Sequence, residues 1–487
     1  MKKNEELFAL IKAMSKSEKR NFRLESAQFK GSAKYIKLFD AIDSLDEYDE
    51  QQIKTLFKND KSLRQFHVLK NYLKQAILKS LRSFHAKRSK QVELNDCLSN
   101  LNILFNKELF QLCEVEVKKA ERIAVEYDLF SGLNEVQNWK RKLAQTKDPS
   151  NFSLFKQILQ QQIDSVERLK NQHSYYQLIT DLSESIIAGY KGPIPNEELL
   201  EDINNASSFE SGVIHCNARY FKAVNLGNAD ETKECLNDLI AFFELHKNKL
   251  EQYPGLYISS MNNAISYFVF TVDYDTALKM IVQLQDFYDR IKLQKENITL
   301  LKQALRMYNL ELEIYRQLQA ESENKDKIES IHLTVEKAMN KMPDSYLISF
   351  WFQLANIYFV LEDFKTALKF LNKIMDNNFG DTRSDIQLHA RILNLMVHFE
   401  LNNLFVLRYF VESAKRMAKK VPYDQQFLKK LLSCFSKLGQ LSPSDFKAVF
   451  TELKTLIANN DLITKEHINL STGYINYNRW LEKRGIS

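Results

Sequence analysis

Glycine and proline are scarce in this chain, at 11 and 7 of 487 residues, against an average near 12% for the pair. Sheets, hairpins and phosphate-cradling loops all need those residues, so their scarcity predicts long helices joined by short turns. An all-α fold is expected. There are only five cysteines, Cys97, Cys113, Cys216, Cys235 and Cys434, and none stands in a C-x-x-C spacing. An odd number without paired spacing fits neither a disulfide framework nor a zinc knuckle, and it reads as small buried thiols in a reducing compartment.

Long apolar runs are missing too. Nowhere do about 18 consecutive apolar residues occur, so no membrane span is expected. The opening "MKKNEELFALIKAMSKSEKR" has a five-residue apolar run preceded by Glu5 and Glu6, which does not read as a signal peptide. The expected location is the cytoplasm.

Motifs that carry chemistry are also lacking. The sequence has no G-x-G-x-x-G, no G-x-x-x-x-G-K, no G-x-S-x-G and no H-E-x-x-H. No two of the nine histidines stand three or four residues apart, the spacing that puts two metal ligands on one helix face. Glu329 and His332 form a single E-x-x-H, and a di-iron bundle needs two. No catalytic residue, metal or cofactor is expected.

What the chain does have is 44% hydrophobic and 27% charged residues, enough to bury a sizeable core, with a formal charge of +6. The charge is uneven. From Lys54 to Lys90 there are 11 Lys or Arg against Asp60 alone, whereas Glu197 to Glu251 holds five basic and eleven acidic residues. The basic stretch could face a nucleic acid, an acidic protein or its own chain, or simply water.

Periodicity divides the chain into three parts. Residues 1–88 read as a head of short helices with a capping-box spacing at Ser15 and Glu18 and an apolar stripe of Phe66, Leu69, Leu73, Ile77 and Phe84. Residues 89–190 read as helix pairs followed by one long helix from about 150 to 188. The segment "GYKGPIPN", Gly189 to Asn196, gathers two Gly and two Pro and marks a boundary. Residues 191–487 return to amphipathic helix pairs with capping helices at the end.

The stretch "FWFQLANIYFVLEDFKTALKFLNKI" sets Trp351, Leu354, Ala355 and Tyr358 on one helix and Phe364, Ala367, Leu371 and Ile374 on the next. It resembles a tetratricopeptide repeat, whose motif begins W-x-x-L-G-x-x-Y. A second unit follows from Met261 through Ala264, Phe268, Tyr274, Ala277, Ile281 and Leu284, and a weaker one holds Phe110, Cys113, Val117 and Ala120. The spacing departs from the family: Tyr274 to Phe364 is 90 residues with one pair between, and Phe364 to Phe405 is 41, against a period of 34.

The resemblance implies stacked antiparallel helix pairs in a superhelical solenoid whose first helices line a groove for a protein or peptide. Carried over by position, the groove residues are Phe352, Asn356, Phe359 and Val360 in one unit and Asn262, Ser266, Val269 and Phe270 in the other. Some family members grip a carboxylate with a Lys and an Asn. Here Asn356 is in place but Phe352 stands where the Lys would be, so that clamp is not expected. The competing expectation is a nucleic-acid regulator, because bacterial regulators that join a DNA-binding head to a tetratricopeptide sensor have this general layout. Arg64, Lys70, Lys74 and Arg82 would then meet phosphates. The turn "NDKS" lacks the usual glycine, and no arginine-rich base-reading pattern accompanies it.

Overall fold

The computed structural model describes residues 5–27, 33–55, 66–86, 90–291, 297–339, 342–377, 379–421, 425–458 and 475–485. Among these, all regular structure is helical, and within each unit most helices pack on a neighbour in sequence. The chain divides into two compact units, Met1–His246 and Lys247–Ser487. The Gly189 to Asn196 segment falls inside the first unit.

The first unit starts with α1 (Glu6–Ala13), α2 (Lys16–Ala27), α3 (Ala33–Asp43), α4 (Glu50–Thr55) and α5 (Phe66–Ala86). Ser15 and Glu18 close the box expected at the start of α2: the Ser15 N–H donates to the Glu18 carboxylate at 2.6 Å, and the Glu18 N–H donates to Ser15 Oγ at 3.3 Å. Phe66, Leu69, Leu73 and Ile77 of α5 are buried with Leu7, Ile11, Phe22 and Phe39, while Phe84 lies half-buried against His85. Next come α6 (Lys90–Asn106), α7 (Phe110–Glu126), α8 (Phe130–Lys147) and α9 (Phe152–Ile187). At 36 residues, α9 runs about 54 Å at 1.5 Å per residue. Two short 3₁₀ turns lead on to α10 (Phe209–Leu226) and α11 (Ala229–Leu245), and Tyr175, Leu178 and Leu182 of α9 share a core with Ile214 and Ala218 of α10.

The second unit pairs α12 (Pro254–Phe270) with α13 (Tyr274–Arg290), α14 (Ile298–Gln317) with α15 (Lys325–Ala338), and α16 (Asp344–Val360) with α17 (Phe364–Asp376). It continues with α18 (Ser384–Glu400), α19 (Leu404–Ala418), α20 (Gln425–Leu438), α21 (Phe446–Ala458) and α22 (Tyr477–Glu482). The first helices α12, α14, α16 and α18 also lie beside one another. A helix apolar around its whole circumference must be buried on all sides. In α16, eleven of 17 residues are buried, from Ile348 to Phe359. Ala355 and Ala367 are fully buried where α16 meets α17, and the Tyr358 and Phe370 rings stack at 6.0 Å.

The turns explain how so few glycines suffice. Left-handed backbone is normally glycine's, and L-residues pay roughly 1–2 kcal/mol to adopt it. Here Glu108, Asp128, Val272, Gln319, Glu362 and Asn402 all have positive φ. In five of these six turns the next N–H reaches back five residues, as Asp273 does to the Phe268 carbonyl at 2.8 Å and Asn403 to that of His398 at 2.9 Å. This closes the orphan carbonyls at the helix end.

Val272 is the costliest of the six because its side chain is β-branched. Val272→Gly should stabilise the second unit by about 1 kcal/mol, read as a higher urea midpoint with unchanged helicity. Ala355→Leu should do the opposite. A Leu forced between α16 and α17 should cost roughly 1–3 kcal/mol, visible as a lower midpoint in the same titration.

Candidate functional site

In the second unit the first helices are tied to one another by side chains. Asn262 Nδ2 donates to the Gln303 carbonyl at 2.9 Å, and Arg306 reaches Asn263 Oδ1 and Ser266 Oγ, each at 3.1 Å, so α12 is fastened to α14. Gln353 Nε2 donates to Glu313 at 3.0 Å, and Arg383 donates to Ser349 Oγ at 3.2 Å. Burial opposes ionisation of Glu313, yet Arg316, Gln317 and Gln353 outweigh it and hold its pKa below the ordinary value.

These ties decide where the expected groove residues sit. Phe352, Asn356 and Phe359 are buried, with Phe352 only 1% exposed, and Asn356 donates to the Phe352 carbonyl one turn back. Asn262 and Val269 are buried as well. Ser266 and Val360 are half-buried, and Phe270 is 50% exposed at the end of α12. Little of α16 is left open, because it packs against α14 and α18 as well as α17, and the Phe359 ring lies against Phe364 of α17.

A second arrangement was not legible in the repeat pattern. The carboxylates of Glu321, Glu362 and Glu400 follow or end α14, α16 and α18, where the carbonyl ends of helices already concentrate negative charge. The last described helix, α22, and the two residues after it meet all three. Arg479 Nη1 donates to both Glu321 oxygens, at 2.8 and 3.0 Å, and Glu321 is fully buried. Lys483 Nζ lies 2.9 Å from Glu362 and 3.2 Å from the Val360 carbonyl, and this ammonium holds the Glu362 carboxyl below its usual range. Trp480 Nε1 donates to Glu400 at 2.5 Å, and Arg484 pairs with the same carboxylate. The Trp480 ring packs between Phe399, Phe435 and Phe450, and the Arg484 guanidinium covers Phe399 at 4.6 Å.

The basic helix spends much of its charge inside the head. Lys70 Nζ lies 2.8 Å from Glu50, Lys74 Nζ 2.6 Å from Glu6, and His85 Nε2 2.6 Å from Glu18. Arg82 is exposed, and Arg64 lies outside the described residues. These partners all precede α5 in the chain. Lys222 and Arg219 pair with Glu197 and Asp238, acids of the Glu197–Glu251 stretch.

The remaining candidates are structural. His332 Nδ1 meets the Tyr358 hydroxyl at 2.9 Å and its Nε2 lies 3.4 Å from Glu336, so the E-x-x-H histidine ties α15 to α16. All five cysteines are buried, and burial pushes the Cys97 and Cys434 thiols up to about 11 and that of Cys216 to about 12. Among the described residues no cluster of three His, Cys, Asp or Glu side chains could hold a metal ion. No helix there is long and apolar enough to cross a membrane.

The Glu50 pairing gives a pH signature. Hydrogen bonds from Lys54 and then Lys70 outweigh desolvation and lower the Glu50 pKa from 4.5 to about 2. A depressed carboxylate stabilises the folded head fully above pH 4.5, and that contribution is lost as pH falls toward 2. Lys70→Ala should flatten the loss of head stability between pH 5 and 2, measured by urea midpoints. An unchanged slope would assign the acid sensitivity to other groups.

No family model matches the chain, and neither the curated proteins nor the solved structures contain one significantly similar to it.

Proposed function

We propose that this chain is a non-catalytic, cytoplasmic interaction protein whose second unit, a tetratricopeptide-like array of helix pairs, holds a segment of a protein partner by shape and contact. No cofactor takes part. One observation supports the reading above the others: the array already carries a helix, α22, across the ends of its first helices. It does so through side chains 80 to 158 residues away in sequence. A scaffold of this kind recognises a helical segment by an apolar anchor in a pocket and charges around it. Phe270, half exposed at the end of α12, is the most accessible of the expected groove residues.

Tagged full-length chain, incubated with native lysate in nuclease-treated and untreated halves, tests this. Discrete proteins retained after nuclease, and reduced at least several-fold by Phe270→Asp at unchanged melting temperature, are the expected result. Recovery of nucleic acid alone, with every protein lost on digestion, would overturn the reading and point to the basic head.

A further inference from the structure

Resting on the reading of the second unit as a binder of helical segments, we propose a partner chemistry for the edge formed by Glu321, Glu362 and Glu400. It takes a short amphipathic helix bearing one tryptophan and three flanking cations, and the chain's own Tyr477–Arg484 segment is the resident, competing occupant.

The pattern is read from the docked segment. Arg479 and Lys483 stand four residues apart, as do Trp480 and Arg484, so cations and indole form two adjacent rows along α22 and the turn that ends it. Each row has its complement. Arg479 meets Glu321 and Lys483 meets Glu362, beyond α14 and α16, while Trp480 and Arg484 share Glu400 at the end of α18.

The complement is demanding as well as attractive. Glu321 is fully buried and Arg479 supplies both of its oxygens, so an apolar residue or an acid at that place would leave a buried carboxylate without its cation. The indole pocket is assembled from three helices, α18, α20 and α21, and its three aromatic rings stand 5.4 to 6.1 Å from Trp480. A fixed apolar pocket beside fixed acids selects tryptophan followed by Lys-Arg, and disfavours an acidic helix by unpaired charge.

The only acid within the segment's last helical turn is Glu482, which is exposed. Local binding of this kind is a matter of effective concentration. A tethered segment occupies its site until an outside helix of the same chemistry binds better, so the tail sets a threshold for the partner.

The test uses full-length protein and a fluorescein-labelled peptide of sequence INYNRWLEKRG, read by anisotropy. Wild-type chain, with its edge filled, should bind the peptide weakly. Arg479→Glu with Arg484→Glu, which dislodges the tail and leaves the acidic edge intact, should bind it at least ten-fold more tightly. The same peptide with alanine in place of its tryptophan should not bind. If the double variant loses helicity, Lys483→Glu, which removes the exposed contacts to Glu362 and the Val360 carbonyl, replaces it, with a several-fold gain expected. A folded variant that binds the peptide no better than wild type overturns the proposal. Should such a variant still capture proteins from lysate, the interaction reading stands and only this partner chemistry fails.

Discussion

No helix pair of the second unit can bury its own apolar surface. The sequence of α16, "DSYLISFWFQLANIYFV", is apolar around nearly its whole circumference, so it needs α17 on one side and α14 and α18 on others. Everything else in that unit follows from this requirement. First helices must lie beside first helices, their buried polar groups must find partners across the seam, and their carbonyl ends must gather along one edge. Glu313 with Gln353, and Asn262 with Gln303, are what satisfying those polar groups looks like in practice.

The gathered helix ends create the electrostatic problem that α22 meets. Three helix termini with a nearby carboxylate each would repel one another and strand Glu321 away from water. Arg479, Lys483 and Arg484 answer one acid each, and Trp480 fills the apolar hollow between them. The same three cations and one indole thus settle the charge at the helix ends and fix α22 in place.

The helices were legible because their signals are local. The two helices read from the spacing of Trp351 to Tyr358 and of Phe364 to Ile374 are α16 and α17, and the Ser15 capping box closed as its spacing implied. The turns were less legible, since Val272 and Glu362 adopt a backbone that a sequence reading reserves for glycine. Phe352, Asn356 and Phe359 were nominated by position in a repeat, yet exposure depends on how closely the next first helix approaches, and that is a tertiary distance no spacing encodes. For the same reason the partners of Arg479 and Arg484 were invisible: Glu321 and Glu400 stand 158 and 84 residues away.

Hydrogen exchange of the full-length chain tests the central claim most directly. If α22 is held by the acidic edge, the amides of Tyr477–Glu482 should exchange far more slowly than an unfolded segment, and Glu400→Gln should release them while the α12–α13 pair keeps its protection. Amides in that segment exchanging at the unfolded rate in the wild-type chain would contradict it.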